Sequence, residues 1–207
     1  MKQFLFVLLL GGLTSSGLMA QGQSLQVQND LGRYGDAGRA LSPAEVSALT
    51  EKIEEKVNLL TNYLAAIADK RQDPELRNQA VSQAVGLFLD ESQVVEVSSL
   101  NRESIERFPV RIYFRRLYAL PYRDVSLTFY NVSTLSALEK RPDGRWSATA
   151  TIFQRFEGTT EEGLKYIDRT VKVIEILVER EKVRIGNVTT YLPAVRLGNI
   201  RVKETKL

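Results

Sequence analysis

The periodicity of the apolar residues changes once along the chain, and this change limits the fold more than any other feature. Between Ser42 and about residue 120, apolar residues recur every three or four positions, as on amphipathic helices. From Asp124 onward they recur at every second position, as on half-buried strands. Helices that precede a run of long strands predict an α+β fold, because an α/β fold would alternate the two kinds of element.

The first helix has a complete start signal. Ser42 can cap it, Pro43 has the φ angle of a first helical residue, and Glu45 completes a capping box. One apolar stripe follows, made of Val46, Leu49, Ile53, Val57, Leu60, Leu64 and Ile67. The pattern predicts a helix to about Asp69. Its stripe either covers the core of its own domain, which we favour, or forms a coiled-coil seam.

Two further helices and a short strand are expected before the β region. Asp73 and Pro74 restart a helix by the same capping logic, and it is predicted to end near Leu89. Its inward residues are predicted to be Leu76, Ala80, Ala84, Leu87 and Phe88. A short strand is expected over residues 94–97. Residues 109–120 predict a third helix, although the alternation at its start also fits a strand. The inward side chains of this helix would be Val110, Tyr113, Phe114 and Leu117.

Four long strands are expected in the second half of the chain. Alternation predicts a strand over 124–130, and residues 141–144 (RPDG) have the composition of a tight turn. The strand over 145–157 comes next. One of its faces is predicted to carry Trp146, Ala148, Ala150, Ile152 and Phe156. In the strand over 164–178 the apolar phase slips, which a β-bulge or burial on both faces would explain. A last strand is expected over 194–203.

In the order and length of these elements, residues 42–204 resemble the NTF2-like superfamily, whose fold is a cystatin-like α+β roll. The turn at residues 141–144 and the final strand, AVRLGNIRV, are the most suggestive pieces. The resemblance implies N-terminal helices packed on a strongly curved antiparallel sheet and a conical pocket between helices and sheet. It also implies frequent dimerisation through the outer face of the sheet, and no single activity, because functions in the superfamily are very diverse.

Residues 1–20 have the composition of a secretory signal peptide. Lys2 provides the positive end, and the apolar run over residues 4–13 is too short to span a bilayer. Cleavage is expected after Ala20, with cleavage after Gly17 and retention as a membrane anchor as the alternatives. We therefore expect a protein secreted to the periplasm or the exterior of a Gram-negative bacterium.

The mature chain is expected to consist of a tether and one domain. Residues 21–41 are rich in Gln, Gly and Asp and predict a flexible tether, and residues 42–207 predict a single domain. Loss of the signal leaves 27 of 28 basic residues and all 25 acidic ones, a net charge of +2. Such a charge gives no reason to expect a nucleic acid partner. No segment after the signal is apolar enough to predict a transmembrane segment in the mature chain.

The chain contains no Cys and no His. It therefore lacks disulfides, a thiolate nucleophile, an imidazole base and any metal site that Cys or His would ligate. Gly-rich phosphate loops and Asp-rich calcium loops are absent as well. We expect no metal and no cofactor. A role without catalysis is favoured, because enzymes of the superfamily that the chain resembles often depend on His.

A carboxylate and a tyrosine are what a His-free active site would need. In the superfamily that the chain resembles, the ketosteroid isomerases pair an Asp base with Tyr in an apolar pocket. The carboxylates available here are Asp90, Glu96, Asp124 and Asp168, and the tyrosines are Tyr113, Tyr130 and Tyr166. None lies in a recognisable motif, and most of the carboxylates fit turns or exposed strand positions equally well. A His-independent isomerase or lyase is therefore an alternative for which no catalytic residue is assigned.

The segment over residues 107–123 interleaves arginines with aromatic residues. The candidate binding residues in it are Arg107, Arg111, Arg115, Arg116, Tyr118 and Arg123. Interfaces and anionic ligands favour arginine beside aromatic rings, because the guanidinium forms forked hydrogen bonds and cation–π contacts. The same residues also fit a solvated basic helix face that pairs with Glu103, Glu106 and Asp124.

The sequence therefore predicts a secreted binding or interaction module of the bacterial cell envelope that acts without catalysis. Its expected partner is an envelope protein or a second copy of the chain, with a small apolar or anionic ligand as the other candidate. The alternative binding function is carriage of a small apolar ligand in a cone-shaped pocket. The residues predicted to line that pocket are Trp146, Ala148, Ala150 and Ile152.

Overall fold

A computed structural model describes residues 40–130 and 135–207 of the chain. The predicted signal peptide and residues 21–39 of the predicted tether lie outside the described residues. The described residues belong to two compact units, a small one that contains Lys182–Leu192 and a larger one that contains the rest. Within this described part, no helix has the length and hydropathy that crossing a membrane requires.

The helices of the described part all belong to the larger unit. They are α1 (Pro43–Ala68), α2 (Pro74–Val85) and α3 (Val110–Tyr118). The predicted capping box begins α1, where the Ser42 side chain accepts from the Glu45 backbone and the Glu45 side chain accepts from the Ser42 backbone. The apolar stripe of α1 is buried except for Val46, which is 37% exposed. The stripe therefore covers the core of its own domain.

The second helix is shorter than predicted. It ends at Val85, because the next backbone segment pairs with another part of the chain. The amide of Leu89 donates to the Leu197 carbonyl at 2.8 Å, and the Leu197 amide donates to the Leu87 carbonyl at 3.0 Å. Leu76 was predicted to face inward, but it lies in the first turn and is 58% exposed.

The strands form one seven-stranded sheet. They are β1 (Val94–Ser99), β2 (Arg102–Pro109), β3 (Asp124–Tyr130), β4 (Glu139–Lys140), β5 (Trp146–Thr159), β6 (Lys165–Ile185) and β7 (Val188–Lys206). Their order is β2-β1-β7-β6-β5-β3, and β4 pairs with β5. The predicted turn joins β4 to β5, with Gly144 at a φ of +83°, which glycine adopts without strain.

The prediction of a wholly antiparallel sheet is wrong, because β1 runs parallel to β7. The chain enters β1 from Phe88, which already forms a parallel bridge with Leu197. Strand β2 was not predicted either. It lies at the edge of the sheet with β1 as its one neighbour in the strand order, so it can be mostly polar and needs no alternating apolar pattern.

Strands β5 and β6 pair over their shared length without a register shift, from Trp146 opposite Val178 to Thr159 opposite Lys165. A β-bulge is therefore not the cause of the slip in the apolar phase of β6. From Asp168 to Val178 the even-numbered positions are buried, but the first three of them carry polar residues. Val171 and Val173, the apolar residues of that region, lie on the other face.

In the smaller unit, Lys182–Leu192 carries the turn between β6 and β7. Gly186 takes a φ of +61° in this turn, in the left-handed region that glycine favours. The composition of the turn thus agrees with its backbone conformation.

Arg77 of α2 joins the three helices. It is 6% exposed, and its guanidinium donates to the Ile67 carbonyl at 2.9 and 2.7 Å and to the Tyr118 carbonyl at 2.8 Å. The same group lies 4.1 Å from the centre of the Tyr118 ring. One cation therefore satisfies carbonyl groups at the C-terminal ends of α1 and α3, where the helix dipole favours positive charge.

We expect Arg77→Met to lower the free energy of unfolding by about 3 kcal/mol, because it leaves two carbonyl groups without their charged donor. Urea unfolding followed by the fluorescence of Trp146, the one tryptophan of the chain, measures this loss. Arg71→Met is the matched control, since Arg71 is largely exposed and forms its ion pair with the neighbouring Asp69. Equal losses in the two variants would contradict the role of Arg77.

Candidate ligand-binding pocket

A pocket with a volume of about 210 Å³ opens between α3, the segment that follows it, and the inward face of the sheet. Its apolar wall includes Phe108, Tyr113, Leu117, Tyr122, Leu127 and Phe156. Its polar lining includes Arg116, Gln154, Tyr166, Asp168, Thr170 and Lys172. A cavity of about 150 Å³ accepts one benzene molecule. The pocket therefore has room for a small molecule with a ring.

The polar lining comes largely from one stretch of β6. Asp168, Thr170 and Lys172 occupy alternate positions and are 5%, 3% and 4% exposed. Across the ladder they pair in turn with Phe156, Gln154 and Ile152 of β5. Because side chains alternate between the two faces of a strand, the unbroken register places all three on the same face as the buried apolar residues further along β6.

Asp168 and Tyr166 form a hydrogen-bonded pair at the pocket. The Tyr166 hydroxyl donates to Asp168 Oδ2 at 2.8 Å and accepts from the Leu100 amide at 3.0 Å. It also lies 2.9 Å from the hydroxyl of Ser99. Burial raises the pKa of the Asp168 carboxyl, against the opposing effects of the Tyr166 hydrogen bond and the Lys172 charge. The pair can therefore hold or accept a proton closer to neutral pH than an exposed aspartate can.

Lys172 lies on the same face with few partners. Its Nζ donates to the Glu96 carbonyl at 3.3 Å and lies 5.3 Å from the centre of the Tyr113 ring. Burial lowers the pKa of Lys172 to about 8, although the charges of Asp168 and Glu96 oppose that shift. At pH 7 roughly one amine in ten is then neutral, against roughly one in three thousand at the ordinary pKa.

Further ionisable groups surround this amine. Burial raises the pKa of the Tyr113 hydroxyl, which therefore stays protonated at neutral pH. Glu106 of β2 and Arg116 of α3 also line the pocket. In the described part of the chain, no group of three or more Asp, Glu, His or Cys side chains is placed to hold a metal ion. The side chains present supply hydrogen bonds and proton transfer.

Gln154 supplies an acceptor that nothing in the described residues satisfies. Its Oε1 is buried and has no hydrogen-bond partner there. Leaving a buried acceptor without a donor costs about 1–3 kcal/mol. A ligand that donates a hydrogen bond to Gln154 would recover this cost, so the pocket favours such a ligand over an otherwise similar apolar one.

Aromatic rings close one end of the pocket. Phe156 lies between Tyr122 and Tyr166, with ring centres 5.6 and 5.9 Å away. Gly158 makes this arrangement possible, because a Cβ at that position would lie 2.7 Å from Cδ1 of Tyr122. The lack of a side chain thus lets the Tyr122 ring lie against β5.

The structure brings three of the candidate carboxylates and tyrosines to the pocket, namely Tyr113, Tyr166 and Asp168. The other candidates lie elsewhere. Asp90 is exposed and accepts from the Ser92 amide at 2.8 Å, as aspartates at turns do. Asp124 pairs with Arg123, and Tyr130 is 37% exposed. Glu96 is not among the residues that line the pocket, and its carboxylate accepts from the Val202 amide at 2.9 Å.

The candidate arginine surface divides between local ion pairs and the pocket. The pairs are Arg107 with Glu96, Arg111 with Glu91, and Arg123 with Asp124. Arg115 is exposed, and Tyr118 lies beneath the guanidinium of Arg77. Arg116 lies 4.2 Å from the centre of the Phe108 ring and lines the pocket. Arg116 is thus the member of this set that the structure places where a ligand would bind.

The residues predicted to line a pocket lie beside this one in the core. They are Trp146, Ala148, Ala150 and Ile152, which share the inward face of β5 with Gln154. Ala150 and Ile152 are 1% and 0% exposed and belong to the same buried cluster as the stripe of α1. The 210 Å³ pocket is lined by the next inward positions of the strand, Gln154 and Phe156.

Lys172 and Gln154 were not singled out from the sequence. Gln154 interrupts an otherwise apolar inward face between Ile152 and Phe156, and Lys172 is the last of three polar inward residues before Ile174. A polar residue at an inward strand position is the signal that could have found them. It becomes visible once the register of β6 is known.

No protein-family model matches the sequence, and no curated protein matches it significantly. The crystal structure of Kfla4162 from Kribbella flavida matches at a TM-score of 0.43 and 14% identity, covering 77% of this chain and 95% of that chain. The structure of Aln2 from a Streptomyces species matches at a TM-score of 0.41 and 8% identity, covering 80% of this chain and 94% of that chain. The chemistry of the pocket therefore rests on its own residues.

We expect Lys172→Met to raise the free energy of unfolding at pH 7 by up to about 3 kcal/mol. Folding lowers the pKa of Lys172 from 10.5 to about 8, so burial of its charge opposes folding fully below pH 8. This penalty falls as the pH rises from 8 to 10.5, because the unfolded chain then binds more protons than the folded one.

Urea unfolding of both proteins at about pH 7 and about pH 10 measures the effect. The difference in stability between variant and wild type should shrink at the higher pH. Lys165→Met, at an exposed position of the same strand, is the control and should show no such trend. A pH-independent difference for Lys172→Met would contradict the assignment.

Proposed function

We propose that this chain is a secreted, NTF2-like binding module of the bacterial cell envelope that takes up a small ligand with a ring. The sequence resemblance supports the family, and the first twenty residues support secretion. The packing of α3 against β1 and β2, with an open pocket beside them, supports uptake of a ligand. The observation that carries the proposal is Gln154, which lines this pocket and whose buried Oε1 has no hydrogen-bond donor among the described residues.

The lining indicates the chemistry of the ligand. Phe108, Tyr113 and Phe156 offer aromatic surface to a ring, which packs there by apolar contact and edge-to-face stacking. Gln154 offers an acceptor, so a ligand with a hydroxyl or amine donor binds more tightly than its hydrocarbon analogue. Polar groups set among apolar and aromatic side chains in a cleft are typical of small-molecule sites.

A His-independent isomerase or lyase is the second candidate, and the buried Asp168–Tyr166 pair favours it. A carboxylate with a raised pKa can take and return a proton within one bound state. Recovery of a bound natural ligand in unchanged form would support carriage, and recovery of a rearranged or cleaved product would support catalysis.

Calorimetric titration with p-cresol and with toluene tests the binding function. The wild type should bind p-cresol about tenfold more tightly than toluene, because only the phenol donates a hydrogen bond to Gln154. In Gln154→Leu the two affinities should converge. If the wild type and the variant prefer p-cresol over toluene to the same degree, Gln154 does not form the hydrogen bond with the ligand.

A pair of substitutions on α3 locates the bound ring. Leu117→Trp should abolish binding of both compounds by filling the pocket that Leu117 lines. Ile112→Trp is the matched control, since Ile112 is 45% exposed on the same helix, and it should bind both compounds as the wild type does. Thermal unfolding verifies that both variants fold. If Leu117→Trp folds and still binds p-cresol, the pocket is not the binding site.

A further inference from the structure

The proposed binding of a ring does not by itself explain why Lys172 is buried at the pocket. It is 4% exposed, in the middle of a strand and at the wall of the pocket. Lysines are rarely buried to this degree unless they are paired with a carboxylate. Among the described residues, no carboxylate lies within ion-pair distance of its Nζ, and the Glu96 carbonyl at 3.3 Å is its hydrogen-bond acceptor.

The surroundings of this amine stabilise its charged form less well than water does. An ammonium has three N–H donors, and one long bond to a carbonyl leaves two of them without an acceptor among the described residues. The neighbouring Tyr113 ring, 5.3 Å away, contributes only a weak attraction for the cation. A neutral amine has fewer donors to satisfy and presents a lone pair, and a lysine of this kind is a nucleophile toward carbonyl carbon.

We propose that Lys172 forms a reversible Schiff base with an aldehyde or ketone group on the ring-containing ligand of this pocket. The inference rests on the proposed binding function, because the ring must enter the pocket for its carbonyl to reach Lys172. The pocket supplies what the reaction needs, namely a buried amine, aromatic walls that pack on the ring, and an ionisable pair on the same strand face.

The reaction balances without an oxidant or a reductant. The Nζ lone pair attacks the carbonyl carbon, the nitrogen loses a proton, and the oxygen gains one to give a carbinolamine. Protonation of its hydroxyl then releases water as the C=N bond forms. Asp168, whose carboxyl pKa is raised by burial, is the nearest inward carboxyl along β6 and serves as the proton store. Hydrolysis reverses each step and frees the ligand.

Reduction by borohydride in the presence of benzaldehyde tests the proposal. Borohydride delivers hydride to the imine carbon and converts the linkage into a stable benzyl amine that peptide mapping by mass spectrometry locates. At about pH 7 and limiting aldehyde, the benzylated fraction at Lys172 should exceed that at the exposed Lys165 by at least about tenfold, following the larger neutral fraction of the buried amine. Equal labelling of the two lysines would overturn the proposal.

Protection and substitution separate this proposal from the binding function. An excess of p-cresol should suppress labelling of Lys172 and leave labelling of Lys165 unchanged. Lys172→Met should lose the selective adduct, with its folding verified by circular dichroism. If p-cresol binds the wild type but Lys172 is not selectively labelled, the Schiff base is excluded and the binding function stands. If p-cresol does not bind at all, the binding function itself fails.

Discussion

The unbroken pairing of β5 with β6 is the constraint on which the rest of this structure depends. From Trp146 opposite Val178 to Thr159 opposite Lys165, no residue is inserted on either strand. Side chains of one parity therefore face the helices over the whole length of the ladder. At one end these are Ala148, Ala150 and Ile176, and at the other they include the polar residues Gln154 and Asp168. One register thus specifies both the core and the pocket wall.

The polar end of the ladder opposes folding, and the apolar end compensates for it. Burial of Lys172 and of the unsatisfied Gln154 acceptor each costs free energy. The stripe of α1 packed on the inward face of the sheet supplies apolar burial, and Arg77 satisfies the ends of two helices. Polar groups that weaken the fold in this way are typical of sites that contact a ligand.

Elements with strong local signals were predictable from the sequence. The capping box at Ser42 and the turn that ends at Gly144 depend on neighbouring residues alone, and both have the expected geometry. Strand β2 lacked such a signal because it is a mostly polar edge strand, and the parallel pairing of β1 with β7 joins segments about a hundred residues apart. Periodicity within a segment carries no information about a partner so far away.

The candidate site divides in the same way. By itself the sequence determined the α+β class, the absence of thiol and imidazole chemistry, and a set of residues that included Asp168, Tyr166 and Tyr113. Only the tertiary structure decided which of those side chains meet. Tyr113 comes from a different part of the chain than Tyr166 and Asp168, and the face that the latter two share is set by the register of β6 with β5. It also decided that Lys172 is buried. Burial depends on what packs over a residue, and that is a property of the assembled fold.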